Sequence, residues 1–431
     1  MIGQPHTRRL RHGGVSPLVI FGIGAFFAAL ALAVDTTLLW SARGEMRNSA
    51  DASCLAAALE LVDDELLTGE PGVMALCIER ARLQAQAYGE SNPVLGQPLV
   101  LDSNWQHDPL GDIVFGYLDQ PRGMFQPTSE LTDPHINAVR IIARRTRERG
   151  NPAGMYFARM LSLPAADVVA TATAMLDRDV IGFRPLPHRP LHLAPIGLLT
   201  GQSLLNKEAW ESQVAGGGED KVAFDRRQQA FVVATANGAR GDGIFEMIVH
   251  IPLAGQPVAE GDEPNGCFLQ LGDTDWEALT RQIVQGVSRE DLAEFDGQLV
   301  LGWDNRLYLP GYDEAPALGD SRLPSLLDAL QTLQSTGEPR IWPLFAALVE
   351  EPSHGPVTAM VQGFVAARLV SAAIASVGDS SEEDPKRQEL RLRLQPCMIS
   401  TGTAITDVNR RFVNPAVDLH NAWICKVRLV E

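Results

Sequence analysis

One stretch decides the fold: Val15–Val34, which reads VSPLVIFGIGAFFAALALAV and contains 20 residues without a charged side chain. As an α-helix, a segment of this length crosses the roughly 30 Å hydrocarbon core of a bilayer. Residues 1–14 carry three arginines and no acidic residue, whereas the chain beyond the stretch soon becomes acidic. Because basic flanks stay in the cytoplasm, we predict a cytoplasmic lead at 1–14, a membrane anchor at 15–40 and the remaining chain on the outer side.

A cleaved signal peptide is the alternative interpretation of this stretch. Ala31-Leu32-Ala33 forms an A-x-A cleavage site behind a basic lead and an apolar region. However, apolar residues continue beyond it at helical spacing, through Leu38, Ala42 and Met46. We therefore prefer a retained anchor and keep cleavage after Ala33 as the alternative.

Two residues mark the outer end of the predicted anchor. Asp35 is an ionisable group at the edge of an apolar helix, and such groups are normally functional or paired. Trp40 is an aromatic residue of the kind that collects in the headgroup region. We predict that both lie at the membrane interface, and pairing of Asp35 with a basic residue of a partner is the less favoured alternative.

The helix is predicted to continue beyond the membrane, from Asp35 to about Leu67. Its small residues Ala50, Ala57 and Ala58 form a stripe that would let another backbone approach closely. We predict helix packing through this stripe, either on the chain's own domain or on a partner subunit, and keep an exposed coiled stalk as the alternative.

The segment after the apolar stretch also carries a family pattern. Ala33-Val34-Asp35 is followed by Arg43–Ala58, RGEMRNSADASCLAAA. This pattern resembles the N-terminal segment of the TadE/TadG-like proteins of the tight-adherence (Flp) pilus assembly system, and weaker similarity continues to about residue 175. The resemblance implies a single-pass inner-membrane protein, a minor pilin-like structural or assembly component whose partners are other pilus subunits. The D-x-S-x-S metal motif of some larger family members does not occur in the sequence.

The remaining chain alternates short apolar runs with turn residues, after a second helix predicted at Pro71–Tyr88. We predict an α+β fold in which the transmembrane helix continues into a pilin-like helix packed on an antiparallel sheet, over residues 41–177. A Pro-rich linker at 178–195 leads to a second, mainly β periplasmic domain at 196–431. Within that domain, the capping box Ser288-x-x-Asp291 predicts a short helix over Ser288–Phe295.

The composition and motifs disfavour several functions. The chain has 53 acidic and 36 basic residues and a net charge of −17, which disfavours nucleic-acid binding because phosphates require a cationic face. It contains no G-x-S-x-G, H-E-x-x-H or G-x-x-x-x-G-K-[ST] motif. We therefore predict no catalytic residue, no cofactor and no metal site. The alternative is an anchored periplasmic hydrolase or binding protein whose catalytic groups follow no recognisable motif.

The five cysteines include no C-x-x-C pair. Cys54 and Cys77 fall on the two successive predicted helices, and the outer compartment permits disulfides. A bridge between them requires the first helix to end early, near residues 62–64. We retain this disulfide as one of the possibilities for the pair.

Overall fold

The computed structural model describes residues 16–201, 209–216, 218–233, 241–256, 264–273, 275–349, 357–377, 387–407 and 420–430. The predicted cytoplasmic lead at 1–14 lies outside these residues. The described chain is α+β, as predicted: a long apolar N-terminal helix is followed by a mainly β remainder with several sheets. The pilin-like packing of this helix on a sheet stays a prediction.

The described residues form five α-helices and three 3-10 helices. The α-helices are α1 Ser16–Leu59, α2 Val73–Ser91, α3 Trp210–Gly216, α4 Trp276–Gln285 and α5 Arg322–Thr336. The 3-10 helices are Asp64–Thr68, Ala158–Leu161 and Ala293–Phe295. The first helix therefore ends earlier than the predicted Leu67, because Asp63 caps a separate 3-10 turn by accepting a hydrogen bond from the Glu65 N–H at 2.9 Å.

The strands range from two residues to the 21 residues of the longest strand, which lies in the C-terminal half. In chain order they are β1 Ile113–Tyr117, β2 Gln126–Pro127, β3 Ala138–Arg145, β4 Ala153–Gly154, β5 Ala165–Ala166, β6 Val168–Asp177, β7 Val180–Phe183, β8 Ile196–Leu199, β9 Val222–Asp225, β10 Ala230–Val233, β11 Met247–Pro252, β12 Gly266–Leu269, β13 Leu299–Val300, β14 Leu307–Tyr312, β15 Arg340–Val349, β16 Val357–Val377, β17 Arg387–Pro396, β18 Ile399–Ser400, β19 Ala404–Thr406 and β20 Ile424–Val430.

The largest sheet has seven strands in the order β11-β17-β16-β14-β12-β8-β15. Strand β15 also pairs with β16, so five of these strands close into a ring. A six-stranded sheet has the order β18-β20-β6-β3-β1-β2, and a three-stranded sheet has the order β13-β7-β19. Strands β9 and β10 form a two-stranded sheet, and β4 and β5 form another.

The alternation of β17 shows why these sequences form strands. Leu390, Leu392 and Leu394 are fully buried, whereas Arg391 and Arg393, which lie between them, are not. A period of two places the leucines on the face of the sheet that α4 and α5 cover. On this face, Trp342 of β15 is fully buried and its indole N–H donates to the Ala367 carbonyl at 3.0 Å.

The contacts between Cα atoms group the chain into two compact units, each made of three segments. The first unit contains Met1–Ala56, Arg82–Val114 and Arg140–Thr173, and the second contains Ala57–Ala81, Phe115–Val139 and Ala174–Glu431. Strand β7 lies inside the segment predicted as a Pro-rich linker. The buried Phe183 ring of this strand packs edge to face against the Phe364 ring, with 4.9 Å between the two ring centroids. The predicted domain boundaries themselves stay a prediction.

The predicted helix at Ser288–Phe295 differs from the structure. Both contacts of the capping box form, because the Ser288 N–H donates to Asp291 Oδ2 at 2.8 Å and the Asp291 N–H donates to Ser288 Oγ at 3.2 Å. However, only Ala293–Phe295 is helical, as a single 3-10 turn. The Asp291 carboxylate also binds Arg281 of α4, and Asp296 follows with φ 55°, which ends the turn.

Candidate membrane-anchoring site

The first part of α1 is an exposed apolar cylinder. Leu18–Val34 is about 25 Å long as a helix, and the exposed fractions of Phe21 and Phe26 are 79% and 65%. By length and composition α1 is able to cross a membrane, and 6% of its most apolar window is buried. A core helix of a water-soluble domain would instead bury most of such a surface.

The burial of α1 changes at Asp35. This residue is 3% exposed, and buried side chains then recur along the helix at Ala42, Met46, Ala50 and Cys54. Asp35 lies seven residues before Ala42 and the later residues follow at intervals of four, so all of them lie on one face of the helix. Because α1 is continuous over Ser16–Leu59, the exposed apolar part passes into the part with a buried face without a break.

The Asp35 carboxylate holds a loop of the first unit. It accepts hydrogen bonds from three consecutive backbone N–H groups: Tyr156 at 2.9 Å, Phe157 at 3.1 Å and Ala158 at 2.6 Å. These groups lie at the start of the 3-10 helix Ala158–Leu161, whose N-cap residue supplies no side-chain cap. A carboxylate at a helix N-terminus makes strong, charge-assisted hydrogen bonds. We name this contact the Asp35 clasp.

The clasp is a contact that the sequence interpretation did not include. The expected alternatives were an interface role and a pair with a partner's base, whereas Asp35 binds backbone N–H groups of its own chain. Trp40 lies about 8 Å farther along the helix axis, and its side chain is 70% exposed. The interface role of both residues stays a prediction.

The loop that Asp35 binds, at residues 155–164, was not predicted from the sequence. It lies between the paired strands β4 and β5, and it contains Tyr156, Phe157 and Met160 as exposed side chains. One signal was available: residues 155–166, MYFARMLSLPAA, contain a single charged residue, whereas 21% of the residues in the whole chain are charged. Loops are usually polar, so an apolar loop is a hint of a covered surface.

The alanine stripe is buried. Ala50, Ala57 and Ala58 each have an exposed fraction of 0%. The helices α1 and α2 approach each other closely about one turn from Ala50. A Cβ added to Gly89 of α2 would lie 3.4 Å from Oγ of Ser53 in α1. The role of the stripe in helix packing stays a prediction.

A charge cluster in the second unit follows α1. The Asp63 carboxylate accepts hydrogen bonds from both terminal nitrogens of Arg226, at 2.6 and 3.0 Å, and from Arg80. The Asp64 carboxylate accepts from Arg368 Nη1 at 2.8 Å and from the Met398 N–H at 2.6 Å. Both carboxylates are at least nine-tenths buried, and buried charges persist only when paired and hydrogen-bonded. We name these residues the Asp63–Asp64 cluster.

A cavity of about 450 Å³ lies beside this cluster. Its lining is Asp64, Glu65, Phe224, Asp225, Arg226, Arg227, Asp242, Ile244 and Gln395. Burial raises the pKa of the Asp242 carboxyl, which also accepts hydrogen bonds from the Phe224 and Ile244 N–H groups. The described lining contains no His, Ser or Cys, and the described residues include no group of three or more His, Cys, Asp or Glu placed to hold a metal ion.

All five cysteines are buried. Burial raises the pKa of the Cys77 thiol to about 11, and Arg80 Nη2 lies 3.4 Å from its Sγ. Cys54 belongs to the first unit and Cys77 to the second. Their disulfide stays a prediction.

These features define a class: a protein with an N-terminal helix able to span a membrane and a mainly β remainder. Residues 13–60 match the Tad family model, described as Flp pilus-assembly TadE/G-like. The match covers the exposed apolar part of α1, the Asp35 position and the face that becomes buried after it, and it confirms the resemblance over residues 13–60. The chain therefore carries a TadE/G-like pilus-assembly segment. No curated protein and no solved structure matches the chain.

Proposed function

We propose that the chain is a membrane-anchored structural or assembly component of a tight-adherence (Flp) pilus, with a minor pilin-like role. The observation that carries this proposal is the coincidence of the TadE/G-like match at residues 13–60 with a helix whose exposed apolar part ends at Asp35. Cleavage after Ala33 would cut through the middle of a continuous helix, so the continuity of α1 supports a retained anchor.

The proposed topology follows from charge. The arginine-rich residues 1–14 stay in the cytoplasm, α1 crosses the inner membrane once, and the rest of the chain lies in the periplasm or outside the cell. Its partners are the inner membrane and other pilus subunits, and the net charge of −17 argues against nucleic acid.

A structural role is favoured over an enzymatic one. The Asp63, Asp64 and Asp242 carboxylates beside the cavity accept hydrogen bonds from arginines or backbone N–H groups, and this geometry stabilises a fold. The alternative of an anchored hydrolase or binding protein requires a reactive group with substrate access in this cavity. Loss of pili in cells that lack the chain, with normal pili after its return, is the expected result.

The anchor is tested with a charge placed inside the span. Ile23→Arg should reduce both membrane retention and piliation, because an arginine near the centre of a spanning helix costs about 2.5–3.5 kcal/mol on insertion scales. Leu59→Arg, at an exposed position at the end of α1, is the matched control and should leave both unchanged. A mature chain that begins near Val34 and is soluble in the periplasm would replace the anchor by a signal peptide.

A phosphatase fused after Glu431 tests the orientation separately. The fusion should be active, because phosphatase folds in the periplasm. An inactive fusion on a membrane-bound chain would show the opposite orientation. Normal piliation in cells that lack the chain would reject the pilus role.

A further inference from the structure

The loop held by the Asp35 clasp has a defined shape. Strands β4 and β5 close its base, where Ala153 pairs with Ala166, and the Met155 N–H donates to the Pro164 carbonyl at 2.9 Å. At its tip, Ser162 has φ 61°, and its N–H bonds back to the Arg159 carbonyl at 3.2 Å. The loop is therefore a folded element of the first unit. We name residues 155–164 the clasped loop.

The side chains of the clasped loop are unusually apolar for an exposed loop. The exposed fractions are 65% for Tyr156, 42% for Phe157, 82% for Met160 and 57% for Leu163. The single charged residue is Arg159, which is also exposed. An apolar surface with one positive charge is complementary to a lipid surface, because the apolar side chains can enter the headgroup–acyl boundary and the arginine can bind lipid phosphates.

The position of the loop along α1 is fixed by the clasp. The Phe157 backbone nitrogen lies 3.1 Å from Asp35 Oδ2, and Val34, the preceding residue, is the last of the uncharged stretch. Since Val15–Val34 spans about 30 Å, the edge of the hydrocarbon core falls beside Asp35. The exposed loop side chains thus lie at the height of the headgroup layer, where apolar faces of surface-bound elements enter by about 5–10 Å.

We propose that the clasped loop is a second membrane contact, in which Tyr156, Phe157, Met160 and Leu163 enter the interface of the leaflet that α1 leaves. Arg159 then contacts lipid phosphates. This inference rests on the proposed function, because it requires α1 to span the membrane. The chemical partner is a lipid surface, and a protein partner at the same side chains is the competing outcome of the test.

Residue-specific labelling of the full chain tests the inference. Because the native cysteines are buried, a cysteine introduced at an exposed position takes an environment-sensitive fluorophore selectively. Met160→Cys probes the loop and Leu30→Cys probes the span. Val100→Cys is the matched control, because Val100 is 63% exposed. Its neighbour Leu99 lies beside Gly89, which in turn approaches Ser53 of α1. Ser53 is about 27 Å beyond Asp35 along the helix axis, so the control position lies far from the predicted membrane. The chain is reconstituted into vesicles of phosphatidylcholine and phosphatidylglycerol that contain spin-labelled lipid.

The expected result is a blue shift and lipid quenching of the label at 160 and at 30, with neither effect at 100. If the label at 30 is quenched and the label at 160 stays in water, the inference is wrong and the anchor remains; the apolar loop surface then awaits a protein partner. If the label at 30 stays in water, both the membrane anchor and the inference about the loop are wrong.

Discussion

The Asp63–Asp64 cluster allows a quantitative prediction about what holds the second unit together. Replacing Asp64 by Ala removes the carboxylate that binds Arg368 Nη1 at 2.8 Å and the Met398 N–H at 2.6 Å. Arg368 then remains buried, about 10% exposed at its side chain and stacked 4.0 Å over the Phe224 ring, without its acidic partner. The variant therefore leaves a buried charge and a buried backbone donor without their shared acceptor.

The size of the effect follows from this burial. Removing one partner of a buried ion pair costs about 3–5 kcal/mol. At roughly 2 °C per kcal/mol for a large folded unit, the melting temperature should fall by about 6–10 °C. Asp64→Asn should cost less, because the amide oxygen still accepts a hydrogen bond from the Met398 N–H. The exposed Glu70, on the same segment, is the matched control, and Glu70→Ala should change stability by less than about 0.5 kcal/mol.

Thermal unfolding of the full chain in detergent, followed by tryptophan fluorescence, measures the difference. The double variant Asp64→Ala with Arg368→Met should recover much of the loss, because two apolar side chains can replace a buried ion pair. Equal melting of Asp64→Ala and Glu70→Ala would refute the reasoning. A double variant no more stable than Asp64→Ala would show that the loss comes from packing and not from the unpaired charge.

Three further predictions concern the first helix and its neighbours. Asp35→Ala should speed hydrogen exchange of the three loop amides that the clasp binds, and unchanged exchange would contradict the clasp. Ala57→Leu should lower the stability of the isolated chain by about 1–3 kcal/mol, since Ala57 is fully buried, whereas Ala87→Leu on an exposed face of α2 should not; equal melting would argue against close packing. Non-reducing peptide mapping decides whether Cys54 and Cys77 are bridged: a linked pair would close a loop of about 24 residues and stabilise the fold by roughly 3 kcal/mol, whereas two free thiols would reject the bridge.

The sequence predicts best where the signal is local. The uncharged run before Asp35 and the repeat of apolar residues after it come from neighbouring positions, so the type and the start of α1 could be predicted, although the helix ends at Leu59 and not at Leu67. Ser288 and Asp291 show the limit of such local signals. Their capping contacts form as predicted, but Arg281 binds the same carboxylate and only one 3-10 turn follows.

The Asp63–Asp64 cluster could not be predicted, because its partners are far away in the chain. Arg226 is 163 positions from Asp63, and Arg368 is 304 positions from Asp64. No periodicity links residues at such separations, so the acidic run after α1 gives no sign of being buried. The clasped loop was equally invisible as a contact of Asp35, more than 120 positions away, although its composition alone was informative.

The continuity of α1 has a mechanical consequence. Residues 25–43 contain neither Gly nor Pro, and Asp35 lies near the middle of this stretch. A helix without a breaker has no hinge, so bending there would require opening backbone hydrogen bonds. A force or torque applied to the folded part of the first unit is thus transmitted along α1 to its exposed apolar part, because the helix has no flexible point between them. Inserting a pair of glycines beside Asp35 would convert this strut into a flexible tether.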